Sequence, residues 1–234
     1  MIQTKDTYKL NKRKNTQRFM IYYTETDKTC IDQIADILEN NYQSISKKFN
    51  QELKDKLEVE IHSEHHQLLN ALGFPNGPKW VRGGMNSNKI LIASPLNPPY
   101  GSDFDGVVKT AVHEFIHIIL GQINQDIPRW LDEGIASYEA KDNNVDWIKR
   151  TVSSGVQNNL IPTFKQLNTG KDFETFFNRD GYQYSYTIVE SIVYNFGYDK
   201  LNEFIRMPDK CYEIFKCTLI ELQNKWFDFI KYNY

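Results

Sequence analysis

Two stretches of this chain carry residue types that do chemistry at a usable spacing. They are His113-Glu114-Phe115-Ile116-His117 and Trp130-Leu131-Asp132-Glu133-Gly134-Ile135-Ala136-Ser137-Tyr138. Histidines four apart lie on one side of an α-helix, about 6 Å apart along its axis. That is a workable bite for one divalent ion, and the intervening Glu114 can reach a water on it, the HExxH arrangement of zinc hydrolysis. A catalytic zinc needs three protein ligands and one open position. The second stretch supplies a carboxylate for the third place, either Asp132 or Glu133. Adjacent helical positions point about 100° apart, so only one of the two is expected to face the metal, and the pattern alone leaves the choice open. Two neutral imidazoles and one carboxylate leave the site net positive, which brings a bound water to a pKa near ~7. Glu114 would then take that water's proton and pass it to a leaving amine.

Taken together, HEFIH and WLDEGIASY resemble the gluzincin zinc metallopeptidases. They are most similar to the peptidase-MA-like group and to the catalytic core of the membrane-alanyl aminopeptidases. In the WLxEGxAxY pattern the resemblance makes the glutamate before glycine, Glu133, the third zinc ligand after His113 and His117. Similarity extends more weakly over Lys89–Tyr232, through FGYDKL and FKCTLIELQNKWFDFI. It further implies a tyrosine from a later helix that hydrogen-bonds the oxyanion, and of Tyr182, Tyr184 and Tyr186 the expectation falls on Tyr184. Ser137 stands where some gluzincins carry an aspartate that buttresses a zinc histidine. The aminopeptidases carry GAMEN before the metal helix, and its glutamate grips the substrate's free amino group. Here the comparable place reads Gly83-Gly84-Met85-Asn86. That departure from the pattern favours an endopeptidase or an enzyme of unknown specificity, with Lys89, Ile90, Leu91, Ile92 and Ala93 as the expected edge strand that pairs with an extended peptide.

The elements that must position these groups can be read from periodicity. Arg18–Thr24 and Leu57–His62 read as strands. Asp27–Phe49 carries Ile31, Ile34, Ile37, Leu38, Tyr42 and Ile45 at helical spacing. Glu64–Leu72 is a short helix ended by Gly73 and Pro75. Trp80–Arg82 and Lys89–Ala93 are expected as strands, with Gly83-Gly84 and Asn86-Ser87-Asn88 as turns. Gly106–Gly121 is the metal helix, with Val108, Val112, Phe115 and Ile119 as its apolar stripe and the histidines turned away from it. Pro128 opens the next helix at a position where its missing N–H costs nothing. Later helices are expected at 145–157, 184–196, 198–206 and 218–232.

The resulting expectation is an α+β, zincin-like protein. A polar tail over residues 1–17 precedes a single metallopeptidase domain, with an α/β lobe at 18–104, a helical lobe at 105–234 and the site between them. Net charge is −2 at pH 7, which gives no basic field for a nucleic acid or an anionic membrane. No apolar run reaches the length of a membrane-spanning helix. Cys30, Cys211 and Cys217 form no CxxC pair, so neither a disulfide framework nor a thiolate zinc site is expected. His62, His65 and His66 straddle a strand end and a helix start and read as exposed polar residues. Trp130 and Tyr138 read as core, and Arg129 as a surface ion pair. The expected partners are a zinc ion and a peptide or protein substrate. The alternative is a catalytically silent binding module on the same fold, or a protease activated by a partner. The chain reads as cytoplasmic if complete, and as extracytoplasmic if a signal or anchor preceded it.

Overall fold

The computed structural model describes residues 9–234. It is a mixed α+β structure, with one five-stranded sheet in the N-terminal part and a mostly helical C-terminal region. The strands are β1 (Lys12–Asn15), β2 (Phe19–Tyr23), β3 (Leu57–His62), β4 (Gly83–Asn86) and β5 (Lys89–Ala93). Their order is β1-β2-β3-β5-β4, with β2, β3 and β5 parallel and the two outer strands antiparallel to their neighbours. Phe19 and Ile21 of β2 and Leu57, Val59 and Ile61 of β3 alternate inward and are buried, the period-two pattern of a strand. In β5 all of Ile90–Ala93 is buried, as expected of a parallel strand covered on both faces.

Helices α1 (Ile31–Phe49) and α2 (His65–Leu72) make the two parallel crossovers. Ile31, Ile34, Leu38, Tyr42, Ile45 and Phe49 recur every three or four residues along α1, and all are buried. A 3₁₀ turn over Glu25–Cys30 precedes it. A capping box between Glu64 and Gln67 starts α2, and Gly73 ends it in the left-handed region, at φ 85°, where glycine meets no steric cost.

Helix α3 (Phe104–Ile123) carries the HExxH stretch, and α4 (Arg129–Ala140), opened by Pro128, carries WLDEGIASY. The rest comprises α5 (Val145–Asn158), the short α6 (Phe164–Leu167) and α7 (Phe173–Asn178), α8 (Gly181–Arg206), α9 (Cys211–Phe215) and α10 (Leu219–Asn233). Among the described residues, 9–46 with Glu52–Phe115 form one compact unit, and Lys47–Gln51 with Ile116–Tyr234 form a second. The division thus falls inside α3, eleven residues later than the expected lobe boundary at 104/105. The second unit recruits its short upstream piece through specific bonds. Lys48 Nζ lies 2.5 Å from Glu139 Oε2, and the Asn202 side chain donates to the Lys48 carbonyl at 2.6 Å.

Several expectations change. Lys12–Asn15, read as part of a polar tail, is a strand that pairs with β2, and Met1–Tyr8 of that tail lie outside the described residues. Gly83-Gly84, read as a turn, begins β4. The glycine is required by proximity, because a Cβ on Gly83 would lie 2.8 Å from Thr110 Cγ2 and 2.9 Å from the Leu91 carbonyl oxygen. The turn is Ser87-Asn88, with both φ values positive (50° and 64°), as a tight two-residue hairpin demands. Lys89–Ala93 is therefore not an edge strand: β5 is paired on both sides, and the edges are β1 and β4. The metal helix has no single apolar stripe either. Residues 110–120 are all buried, the histidines included, so α3 is enclosed on every side rather than amphipathic. The two helices expected at 184–196 and 198–206 are the two arms of α8, which bends at Gly197 (φ 78°, ψ 172°). All three cysteines are buried and free. No helix among the described residues is long and apolar enough to cross a membrane.

Helices α4 and α8 meet at Gly134. A Cβ there would sit 2.4 Å from the Ser185 carbonyl oxygen and 2.8 Å from Val189 Cγ2, so the backbones touch. Gly134→Ala is expected to destabilise the protein by about 1–3 kcal/mol through overpacking, read from the midpoint of chemical denaturation at unchanged slope.

Candidate metal centre

One turn of α3 separates His113 from His117, and both are buried, at 6 % and 8 % exposure. Glu133 arrives from the first turns of α4 at 5 % exposure. Each of the three offers one ligand atom, and these atoms lie within 4.8 Å of one another. Among the described residues no other group of three His, Cys, Asp or Glu side chains is so placed. His117 Nε2 and Glu133 Oε2 are 3.5 Å apart. A tetrahedral zinc with bonds near ~2.0–2.1 Å has ligand–ligand edges of about 3.3 Å, so this edge already fits a metal. The widest edge needs to close by at most about 1.5 Å on that geometry.

His117 is held from both ring nitrogens. Its Nδ1 lies 2.8 Å from Asp132 Oδ1. An ionised carboxylate only accepts, so Nδ1 carries a proton, and Nε2, which faces Glu133, carries the second one when the ring is charged. Asp132 and Glu133, expected to compete for one role, thus take different roles on the same ring. Burial alone would lower the pKa of His117, but the carboxylates of Asp132 and Glu133 outweigh it and hold it well above the ordinary histidine value. A metal at Nε2 would take the place of that second proton.

Arg129, one turn before Glu133, donates from Nη2 to Glu133 Oε1 at 2.8 Å. It is no surface pair. Its guanidinium lies 5.3 Å from the centroid of the Phe176 ring, and Nη1 reaches the Gly170 carbonyl at 3.4 Å. Burial opposes its charge, but Glu133 and then Tyr182 raise its pKa, and the Tyr182 hydroxyl is in hydrogen-bonding reach of the guanidinium. Glu133 is thereby fixed by one oxygen and presents the other to the imidazole. Neither this role of Arg129 nor that of Asp132 was read from sequence. The available signal was the i, i+4 spacing of Arg129 and Glu133 on one helix face.

Of the three tyrosines considered as oxyanion donors, Tyr184 is not brought to this centre. Its hydroxyl fills the space over Gly155 on α5, so close that a Cβ there would lie 1.9 Å away. Its ring meets Trp226 edge-on at 6.1 Å. Tyr186 stacks obliquely on Tyr138, 5.3 Å away. Tyr182 is the one beside the Arg129–Glu133 pair. Ser137 gives no buttress: it is fully buried, and its hydroxyl has no hydrogen-bond partner among the described residues. His62, expected on the surface, is buried with Nε2 3.6 Å from Glu60 Oε2. Trp130 is core as expected, stacked on Phe164 at 4.4 Å.

Among known proteins, the family model of the Peptidase MA superfamily matches residues 40–211, which include every residue of the candidate centre. The chain belongs to that superfamily. A search of curated proteins found no match to the chain.

The donor set would make retention of a metal pH-dependent, since a doubly protonated His117 cannot ligate. Because its pKa is raised, metal affinity is expected to fall as pH drops through a value above the ordinary histidine range. Asp132→Asn is expected to lower metal affinity ~10–100-fold and to move the pH of half-loss downward, because the imidazolium loses its strongest partner. Competition with a chromogenic chelator across pH measures both.

Proposed function

We propose, from its place in the Peptidase MA superfamily, that this protein is a zinc-dependent peptidase of the gluzincin type, cutting within peptide chains. The observation that carries the proposal is the convergence of His113, His117 and Glu133 within ligand distance, with Glu114 next to His113 on α3. Two imidazole nitrogens and one carboxylate oxygen are a donor set that suits zinc and leaves a position open for water. Zinc held there would polarise the scissile carbonyl and lower the pKa of a bound water.

The chain's own groups supply the rest. Glu114, 8 % exposed, takes a proton from the attacking water and returns it to the amine that leaves. Asp132 fixes the orientation and tautomer of His117, and Arg129 fixes Glu133, so neither ligand has to reorganise as charge develops. Tyr182 is a phenol within hydrogen-bonding reach of Arg129. Accepting from Arg129, it keeps its own proton to give to the oxyanion of the tetrahedral intermediate. Substrate is taken up along β4, the edge strand next to β5, by backbone pairing. Gly83 lets β4 begin against Thr110, three residues before His113 on α3, which sets an added strand beside the metal helix. Met85 and Asn86 offer no carboxylate for a free amino terminus, which favours internal bonds over terminal ones.

Hydrolysis of a mixed peptide library by the zinc-loaded protein tests this reading. Chelator is expected to abolish cleavage, and zinc to restore it. Glu114→Gln is expected to lower kcat by roughly 10²–10⁴-fold while metal content stays at wild-type level. Cleavage that survives both treatments would overturn the proposal. Tyr182→Phe is expected to lower kcat about 10²-fold with KM little changed, whereas Tyr184→Phe leaves kcat intact.

A further inference from the structure

A second feature lies apart from the metal ligands, wholly among the helices of the second unit. Tyr138 of α4, Tyr186, Glu190 and Tyr194 of α8, Phe229 of α10 and the following Tyr234 line an open cavity of about 510 Å³. Residues 186, 190 and 194 recur every fourth position, so one face of α8 presents a carboxylate between two phenol rings. The aromatic walls come in pairs: Tyr138 with Tyr186 at 5.3 Å and 59°, and Tyr194 with Phe229 at 5.6 Å and 49°. Tyr234 donates its hydroxyl to Glu190 Oε2 at 2.6 Å.

These features define the charge the cavity prefers. Ring faces are electron-rich and attract a cation. Glu190 adds a carboxylate, and among the described residues it makes no ion pair. Burial and then Glu190 push the Tyr186 phenol up to about 12, so that phenol remains a neutral donor. Lys149 also lines the cavity, but its side chain is exposed, and its long stem lets the ammonium stay in water. A metal ion is a poor occupant, because only one carboxylate is offered and small divalent ions demand several hard oxygen ligands. The volume suits a small organic molecule instead, for which cavities run from roughly 300 to 1,000 Å³.

We propose that this cavity is a binding site for an organic cation of the alkylammonium type, held by cation–π contact with the ring pairs and by the Glu190 carboxylate. The site is independent of the metal centre, so its test does not depend on hydrolysis. Titration calorimetry on the full chain, treated with chelator and untreated, uses choline as the probe. Its uncharged isostere 3,3-dimethylbutan-1-ol and acetate serve as comparisons. Choline is expected to bind saturably and equally with and without chelator, with the neutral isostere roughly tenfold or more weaker. Glu190→Gln is expected to weaken choline about tenfold, and Tyr194→Ala, at the 78 % exposed rim, several-fold without risk to the fold. Absence of saturable choline binding, equal affinity for the neutral isostere, or preference for acetate through Lys149 would overturn the proposal.

Discussion

The candidate centre depends on two neighbouring carboxylates gripping one imidazole from opposite edges. Asp132 bonds to Nδ1 of His117 while Glu133 faces Nε2. Consecutive helical side chains diverge by about 100°, which argues against both reaching one metal. It does not prevent both from reaching one five-membered ring whose two nitrogens lie on different edges. That grip fixes the ring plane and aims Nε2 at Glu133, where a metal would take the place of its proton. Arg129 extends the same logic outward, since it occupies the Glu133 oxygen that does not face the histidine. A buried carboxylate without such a partner would be pushed toward its neutral form, and a neutral Glu133 would be a weak ligand.

Small residues on α4 and α8 let this arrangement form. Gly134 permits backbone contact with Ser185, and Ser137 and Ser185 keep the contact thin at the cost of hydroxyls left without partners among the described residues. The glycine after Glu133 is thus explained by packing as fully as by chemistry. A second close approach, Gly155 under the Tyr184 hydroxyl, joins α5 to α8. It also decides the role of Tyr184, because a phenol that fills the space over a glycine is committed to the core. Trp226 supports the same region by donating its indole N–H to Thr187 Oγ1 at 2.9 Å, which satisfies a buried donor and fixes α10 on α8.

In the sheet-bearing unit the determining fact is strand order. A sheet ordered β1-β2-β3-β5-β4 places its most apolar strand inside and a glycine-led, partly exposed strand at the margin. Hydrophobicity and edge position therefore exclude each other here, as they commonly do in natural sheets. The open margin is polar and short, which suits reversible pairing with an extended chain better than permanent association.

Sequence by itself determined the residues that can meet a metal and most of the elements that carry them. Local periodicity and capping are properties of consecutive residues. For that reason α1, β3, α5 and α10 were legible to within a few positions, and so was the pairing of His113 and His117 on one helix. The break between the helices expected at 184–196 and 198–206 falls at Gly197, where a glycine can take a positive φ that other residues resist. What only the tertiary structure decided was every relation between residues distant in sequence. It assigned Asp132 to one nitrogen of His117 and Arg129 to Glu133. It buried α3 on all sides, where a helical wheel shows a polar flank, and made β4 rather than β5 the edge. It turned Tyr184 into the core while setting Tyr182 beside the Arg129–Glu133 pair. The physical reason is that spacing along a chain fixes which side chains share a face, whereas what that face meets depends on packing against segments the local pattern does not contain.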